Sequence, residues 1–224
     1  MKKVICLTLF AIAIFFSFVA CSSKKSKEEK MAIINEKTEN VITSSESNNV
    51  IINDEKENTE KENKILVTYF SWSSSHNTKS MAEYVIEATG GDSFEITPET
   101  PYTTVYNEVL DVAQKELRDN ARPKYVGNID DAKWSSYDVI FLGYPIWWYD
   151  APMIIYSFLE SHNFNGKIII PFATSGGSRI NEVGKFRAIT NADVKDGLTI
   201  SGFSRGDRSK TRVENWITEL GYHK

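Results

Sequence analysis

Three apolar runs, far apart along the chain, each open directly into a polar or aromatic loop. Ile65-Leu66-Val67-Thr68-Tyr69-Phe70 leads into Ser71-Trp72-Ser73-Ser74-Ser75-His76-Asn77-Thr78. Val139-Ile140-Phe141-Leu142-Gly143 leads into Tyr144-Pro145-Ile146-Trp147-Trp148, and Ile168-Ile169-Ile170-Pro171-Phe172 leads into Thr174-Ser175-Gly176-Gly177-Ser178. Segments with helical spacing of apolar residues alternate with these runs. Such alternation dictates βαβ units and a parallel sheet covered on both faces. Strands buried on both sides read as unbroken apolar runs rather than as alternating ones. Ligands of open parallel sheets bind beyond the carboxyl ends of the strands. The three loops are therefore expected to meet along one edge.

The spacing predicts an α/β fold of five strands: Ile65 to Phe70, Ser93 to Thr97, Asp138 to Gly143, Lys167 to Phe172 and Leu198 to Phe203. Helices are expected over Lys79 to Thr89, Thr104 to Arg118, from Asp150 to about Ser161, and from about Ser178 to Thr190. A last helix carries Val213, Trp216, Ile217 and Leu220 at the i, i+3, i+4, i+7 positions of one face. Gly90 and Gly221 are expected stops, and Asp150 an N-cap with Pro152 in the first turn. Asp130-Asp131 reads as a capping pair. In the second helix Val105, Val109, Ala113 and Leu117 form one row, widened by Tyr106 and Leu110.

The first 63 residues are of another kind. Residues 1–20 read as an export signal: Lys2 and Lys3, then an apolar stretch from Ile5 to Val19 that is short for a membrane span. Phe18-Val19-Ala20-Cys21 resembles a bacterial lipobox, in which Cys21 carries lipid and becomes the new N-terminus; secretion with cleavage near Ala20 is the alternative. Residues 21–63 are rich in Lys, Glu, Asn and Ser and lack aromatic residues, a composition that cannot bury enough apolar surface to offset ordering entropy. They are expected to be a solvated tether. Residues 64–224 suffice for one domain with a full core. Localisation outside the cytoplasm, at a membrane through the N-terminal lipid, is the expectation.

Composition excludes several functions. The only cysteines are Cys6, in the signal, and Cys21, so thiol redox catalysis and a thiolate metal site are ruled out. Residues 64–224 hold 17 Lys and Arg against 20 Asp and Glu, a net of −3, with no basic stripe for nucleic acid. Three histidines, 76, 162 and 223, give no metal-ligand spacing, and no Gly-x-Ser-x-Gly elbow suggests a hydrolase.

The loops suggest a ligand. Ser71, Ser73, Ser74, Ser75, Asn77 and Thr78 offer hydroxyls and helix-start amides to a phosphate. A plain polar loop with Asn77 or Thr78 as helix cap is the alternative. Glycines needed for a Walker A loop or a dinucleotide fingerprint are missing. Tyr144, Trp147, Trp148 and Tyr149 crowd four rings beside Pro145, suited to stacking on a flat ligand. One of the paired Trp residues is expected in the core, and the other, or Trp72 across the cleft, beside the ligand. Gly176 and Gly177 permit positive φ and close backbone approach; a plain turn capped by Ser178 is the alternative. A phosphorylated flat ring, with FMN the natural candidate, fits this set.

These segments, together with Pro101-Tyr102 and Ala151-Pro152, resemble the flavodoxin family, in particular its branch with the Tyr-Pro-Ile-Trp-Trp motif, over essentially all of residues 64–224. The resemblance implies a doubly wound five-stranded parallel sheet of order 2-1-3-4-5 and noncovalent FMN. Ser71, Ser73, Asn77 and Thr78 would then hold the phosphate. Pro145, Ile146, Trp147 and Trp148 would border the isoalloxazine, and Thr174, Ser175, Gly176 and Gly177 would contact its other side. One departure stands out: the family's hydroxyl loop carries a glycine, whereas Ser74-Ser75-His76 makes this one longer and glycine-free. Ser73, Ser74 and Ser75 are accordingly alternative phosphate contacts.

The expected function is electron transfer through FMN by a membrane-tethered redox protein, either a carrier or an oxidoreductase of NAD(P)H/quinone type, with its donor and acceptor unidentified. No side chain need act as acid or base, because the cofactor carries the chemistry. Nothing resembles a dedicated nicotinamide site. The rival from another class is a nonenzymatic lipoprotein that binds a flavin or another phosphorylated ligand.

Overall fold

The computed structural model describes residues 62–224. The expected signal segment, lipid-bearing Cys21 and all but the last two residues of the tether lie outside the described residues.

The main sheet is parallel. β1 (Ile65–Tyr69) pairs with β2 (Asp92–Glu95) on one side and β5 (Val139–Pro145) on the other. β5 pairs with β6 (Ile168–Ser175), and β6 pairs with both β7 (Asp193–Val194) and β8 (Leu198–Ser201). The expected five strands prove to be six, in the order β2-β1-β5-β6 with β7 and β8 sharing the far edge; numbered within this sheet, with β7 and β8 counted as one, they follow the expected 2-1-3-4-5. A separate antiparallel pair, β3 (Thr97–Pro98) with β4 (Tyr125–Val126), was not legible as strand.

The interruption of the edge strand has a local cause. Ile169 accepts a bond from Lys195 N–H at 2.9 Å, so its backbone faces the edge strand, and Pro171 two residues on faces the same way. Pro171 has no N–H to give. Gly197 packs so close that a Cβ would overlap the Pro171 carbonyl oxygen. The edge strand therefore breaks between Val194 and Leu198.

Alternate residues of the strands feed two cores. Leu66, Ile140, Leu142, Tyr144 and Ile169 face one, together with Ile154, Ile155, Phe158 and Leu159 of α4 (Met153–Ser161) and Phe186 of α5 (Val183–Thr190). Trp134 of α3 (Asp131–Ser136) completes it. Val67, Phe141, Ile170 and Phe172 face the other core, with Met81 and Val85 of α1 (Asn77–Thr89) and Val213 and Ile217 of α6 (Asp207–Glu219). Capping follows the chain's chemistry: Asp130 accepts Lys133 N–H at 2.9 Å, and Gly90 ends α1 in the left-handed region. No helix among the described residues is long and apolar enough to cross a membrane.

Three helices begin later than the spacing predicts. α2 (Tyr106–Arg118) starts after Val105, whose N–H bonds Thr103 Oγ1 at 3.2 Å. Only Val109 and Ala113 of α2 are buried, so the helix meets the rest of the fold along a narrow stripe. α5 starts at Val183 rather than Ser178, because Ser178 O accepts from Ser175 Oγ and Ile180 N–H donates to Thr199 Oγ1. At α4, Pro152 takes the N-cap position expected for Asp150. Asp150 instead turns its carboxylate inward.

Gly143 sits opposite Phe172 in the β5–β6 register, and the Phe172 ring covers the place a side chain would take. Gly143→Ala is expected to lower unfolding stability by about 1–3 kcal/mol through overpacking, read by urea denaturation. An unchanged midpoint would mean the ring moves aside without cost.

Candidate functional site

The carboxyl ends of β1, β5, β6 and β8 share one edge, and a cleft of about 640 Å³ opens there. That volume lies in the range of small-molecule and cofactor sites, about 300–1,000 Å³. The cleft straddles the point where successive strands depart to opposite sides, β2 to one side of β1 and β5 to the other.

The hydroxyl loop contributes Ser73, Ser75, Asn77 and Thr78. A turn closes it, with His76 N–H donating to Ser73 O at 2.8 Å and the two serine hydroxyls 2.9 Å apart. His76 takes the left-handed conformation, φ 49°, at the N-cap of α1, the kind of position where glycine is easiest. The exposed ring of His76 lies outside the lining. Ser71 is also outside it: its Oγ accepts Lys79 N–H at 3.3 Å in the first turn of α1. Asn77 and Thr78 place the start of α1 in the wall, where the helix dipole favours an anion.

Thr78 Oγ1 and Thr174 Oγ1 share a buried hydrogen bond of 2.8 Å, which joins the first loop to the third. From the third segment Thr174, Ser175 and Gly176 line the cleft, and Gly177 does not. Thr174 and Ser175 prove to be the end of β6, as Pro145 is the end of β5. Neither Gly176 nor Gly177 uses the positive φ that glycine permits, and a Cβ at either would meet nothing within 4 Å. The chain's own packing thus gives no reason for glycine at these two positions.

Pro145, Ile146, Trp147 and Trp148 all line the cleft, as do Trp72 and Tyr149. Trp147 is half-buried and meets Phe70, Trp72 and Tyr102 edge-on at 5.2–5.9 Å between ring centres. Trp148 is 40% exposed and Tyr149 73%. The expected division, one Trp in the core and one at the ligand, becomes a gradation in which both line the cleft. Trp147 and Asp150 exchange two backbone bonds of 2.9 Å. Trp148 and Tyr149 between them have φ of 51° and 62°. This is the two-residue turn that ordinarily selects Asn-Gly, so each aromatic holds a conformation costing on the order of 1–3 kcal/mol.

Sequence reasoning missed the roof. Tyr106, Val109, Leu110 and Ala113 of α2 line the cleft, as do Gly202 and Phe203 after β8. Trp72 Nε1 donates to Thr103 O at 2.8 Å and Trp148 Nε1 to Leu110 O at 2.9 Å, so two indoles hold the start of α2 in place. The signal was present: Tyr106 and Leu110 widen the apolar stripe beyond what the sheet covers. Among the described residues that line the cleft, none is Asp, Glu, Lys, Arg or His. No group of three or more His, Cys, Asp or Glu among the described residues is placed to hold a metal ion.

Carboxylates lie behind the aromatic turn instead. Asp150 Oδ1 accepts from Ala151 N–H at 2.8 Å and Tyr156 OH at 2.6 Å, and Oδ2 from Lys185 Nζ. Burial, then the bond to Asp150, pushes the Tyr156 phenol up. Glu182 Oε2 accepts from Tyr144 OH at 3.1 Å and Asn181 N–H at 3.0 Å, while Oε1 is buried without a partner. Burial raises the Glu182 carboxyl and nearby Asp150 adds to it, against hydrogen bonds that lower it.

The strand order, the cleft at the switch point and its uncharged, hydroxyl- and indole-lined wall define a doubly wound α/β protein built to hold a flat, anionic small molecule. A profile of the flavodoxin family matches residues 64–220. The chain belongs to the flavodoxin family. Among solved structures, it is similar to a candidate flavoprotein from Bacteroides eggerthii, with 35% identity over 70% of this chain and 98% of the other, and a TM-score of 0.60. A candidate flavoprotein from Bacteroides uniformis gives 34% identity over 70% and 99%, also at 0.60. The fold is shared as well by a flavoprotein from Lactobacillus acidophilus solved in complex with FMN, with 24% identity over 69% and 98% and a TM-score of 0.52. No curated protein matches the chain.

Glu182 supplies a pH test. Unfolded, its carboxyl titrates near the ordinary value of about 4.3. Between that value and its raised folded value, the native state keeps a proton that the unfolded chain has lost. Its contribution is therefore full below the unfolded value and declines as pH rises toward the folded one. Relative to the wild type, Glu182→Gln is expected to gain stability on going from about pH 4 to about pH 8, read by urea denaturation at both. A difference that stays constant with pH would refute this.

Proposed function

We propose that this chain is an FMN-binding redox protein, exported and held at a membrane by lipid on Cys21, which transfers electrons through a noncovalent flavin. The observation that carries the reading is convergence: the hydroxyl loop, the aromatic turn and the Thr174–Gly176 segment, distant in sequence, wall one cleft. The fit to FMN rests on the donor set. Ser73, Ser75, Asn77 and Thr78 at the start of α1 suit a phosphate, and Trp147, Trp148 and Trp72 suit a flat ring. The open space beside Gly176, where a Cβ would touch nothing, leaves room for a ligand atom to approach the backbone. FMN bound to the Lactobacillus acidophilus protein of the same fold supports the choice.

FMN supplies the electron chemistry; the chain's residues bind, orient and shield it. No Asp, Glu, Lys, Arg or His lines the cleft, so in this reading the protein works by position and by the polarity of the cleft. The absence of a nicotinamide motif from the sequence favours electron transfer over hydride uptake from NAD(P)H. Export and anchoring rest on Lys2, Lys3, the apolar stretch from Ile5 to Val19, and Phe18-Val19-Ala20-Cys21.

The full chain, purified in detergent, is expected to be yellow or to turn yellow with added FMN, and to bleach reversibly with dithionite. Flavin uptake without reversible reduction would favour the nonenzymatic binding protein, and no uptake would remove both. Trp148→Ala is expected to raise the FMN dissociation constant about 3- to 10-fold, the worth of one ring contact. Trp134→Phe should leave it unchanged, because Trp134 packs on Phe158 and Phe164 outside the cleft. Fluorescence titration of FMN reads both, and equal affinities would show the ring site is misplaced.

A further inference from the structure

Two exposed aromatics of the cleft, Trp148 and Tyr149, stand on strained backbone. Trp148 and Tyr149 are consecutive, bulky and both at positive φ, a region that L-residues with large side chains enter only under constraint. The constraint is visible in the turn's own contacts. Trp148 Nε1 reaches Leu110 O on α2, and the backbones of Trp147 and Asp150 bond each other twice. Asp150 then ties the turn to two further helices, through Tyr156 of α4 and Lys185 of α5. Neither Asp150, Tyr156 nor Lys185 lines the cleft.

The ion pair is asymmetric. The Asp150 side chain is 7% exposed and that of Lys185 is 58%. An exposed lysine reaching another exposed group contributes little. Here it supplies one of three donors to a buried carboxylate, and a buried charge short of partners is costly. If the ammonium is lost, Asp150 keeps Ala151 N–H and Tyr156 OH on Oδ1, and Oδ2 loses its donor. The carboxylate is then free to turn toward water, and the strained pair above it to relax.

We infer that Asp150 and Lys185 are positioning residues for the cleft: their ion pair holds the Trp148–Tyr149 turn in the shape that keeps both rings in its wall. This rests on the FMN reading of the cleft for its functional consequence. Lys185 acts through Asp150 on the turn, and through the turn on flavin affinity. Glycine enters positive φ without strain. In a chain with Tyr149→Gly, the turn needs less holding and Lys185 should matter less.

The test is a double-mutant cycle on the full chain in detergent, with FMN as titrant and thermal unfolding as the control for folding. Lys185→Met is expected to raise the FMN dissociation constant about tenfold, and Lys185→Arg to stay within about twofold of the wild type. In the Tyr149→Gly background, Lys185→Met should cost less than about threefold. A Lys185→Met affinity equal to that of the wild type overturns the inference, and so does the same loss in both backgrounds. If Lys185→Met does not fold, Lys185→Gln replaces it under the same outcomes. A second arm needs no flavin: in protein labelled with 5-fluorotryptophan, the Trp148 resonance, identified by its loss in Trp148→Phe, should move in Lys185→Met and return in Lys185→Arg. An unmoved resonance overturns the inference. If the wild type takes up no FMN, the functional reading falls, and this fluorine signal alone decides whether the ion pair shapes the turn.

Discussion

Parallel pairing of β1, β5, β6 and β8 puts four carboxyl ends on one edge, and every connection must cross a face of the sheet to reach the next strand. The helices that make those crossings cover both faces and bury the strands, leaving the edge as the place where polar chain can gather. At that edge a single buried contact, Thr78 Oγ1 to Thr174 Oγ1 at 2.8 Å, couples the start of α1 to the end of β6. Pairing of β1 and β6 to β5 sets the spacing of the hydroxyl loop and the Thr174–Gly176 segment, and these two threonines, 96 residues apart, bond the two segments directly.

No cationic side chain lines the cleft. Helix-start amides and hydroxyls supply directional partial charges, which need little reorganisation and leave the local field modest. Full charges stand further back, in the Asp150–Lys185 pair. For the flavin reading proposed above, such an arrangement suits a ring that changes charge, since nearby ionised groups would bias one redox state strongly. In that reading the protein acts on the ring through aromatic walls and the polarity of backbone groups.

Much of this was legible because the informative signals are local. Unbroken apolar runs gave β1, β5 and β6, and their flanking loops gave most of the cleft wall. What escaped depends on contacts between distant residues. The break in the edge strand follows from Pro171 and Gly197 meeting across strands, and neither residue betrays it alone. Ser71 reads as a phosphate contact by its place in the loop, yet its hydroxyl goes to Lys79 N–H and stands outside the lining. The late start of α5 reflects hydrogen bonds that Ser178 and Ile180 make to other segments. The roof was half-visible: Tyr106 and Leu110 broadened a helical stripe, but only the indole bonds from Trp72 and Trp148 show what that extra width faces.

The same indole bonds explain why a marginally packed helix and a strained turn coexist. α2 buries only Val109 and Ala113, too little apolar surface to fix it firmly on the sheet. The Trp148–Tyr149 turn, for its part, is held against its backbone preference. Each supplies what the other lacks: the Trp148 indole gives α2 an anchor, and Leu110 O gives Trp148 a partner that rewards the strained conformation. Exposed Tyr106, Trp148 and Tyr149 all sit at this junction. A flat ligand entering the cleft would cover apolar surface on both elements at once, so the region with the least stability of its own is the one that binding would stabilise most.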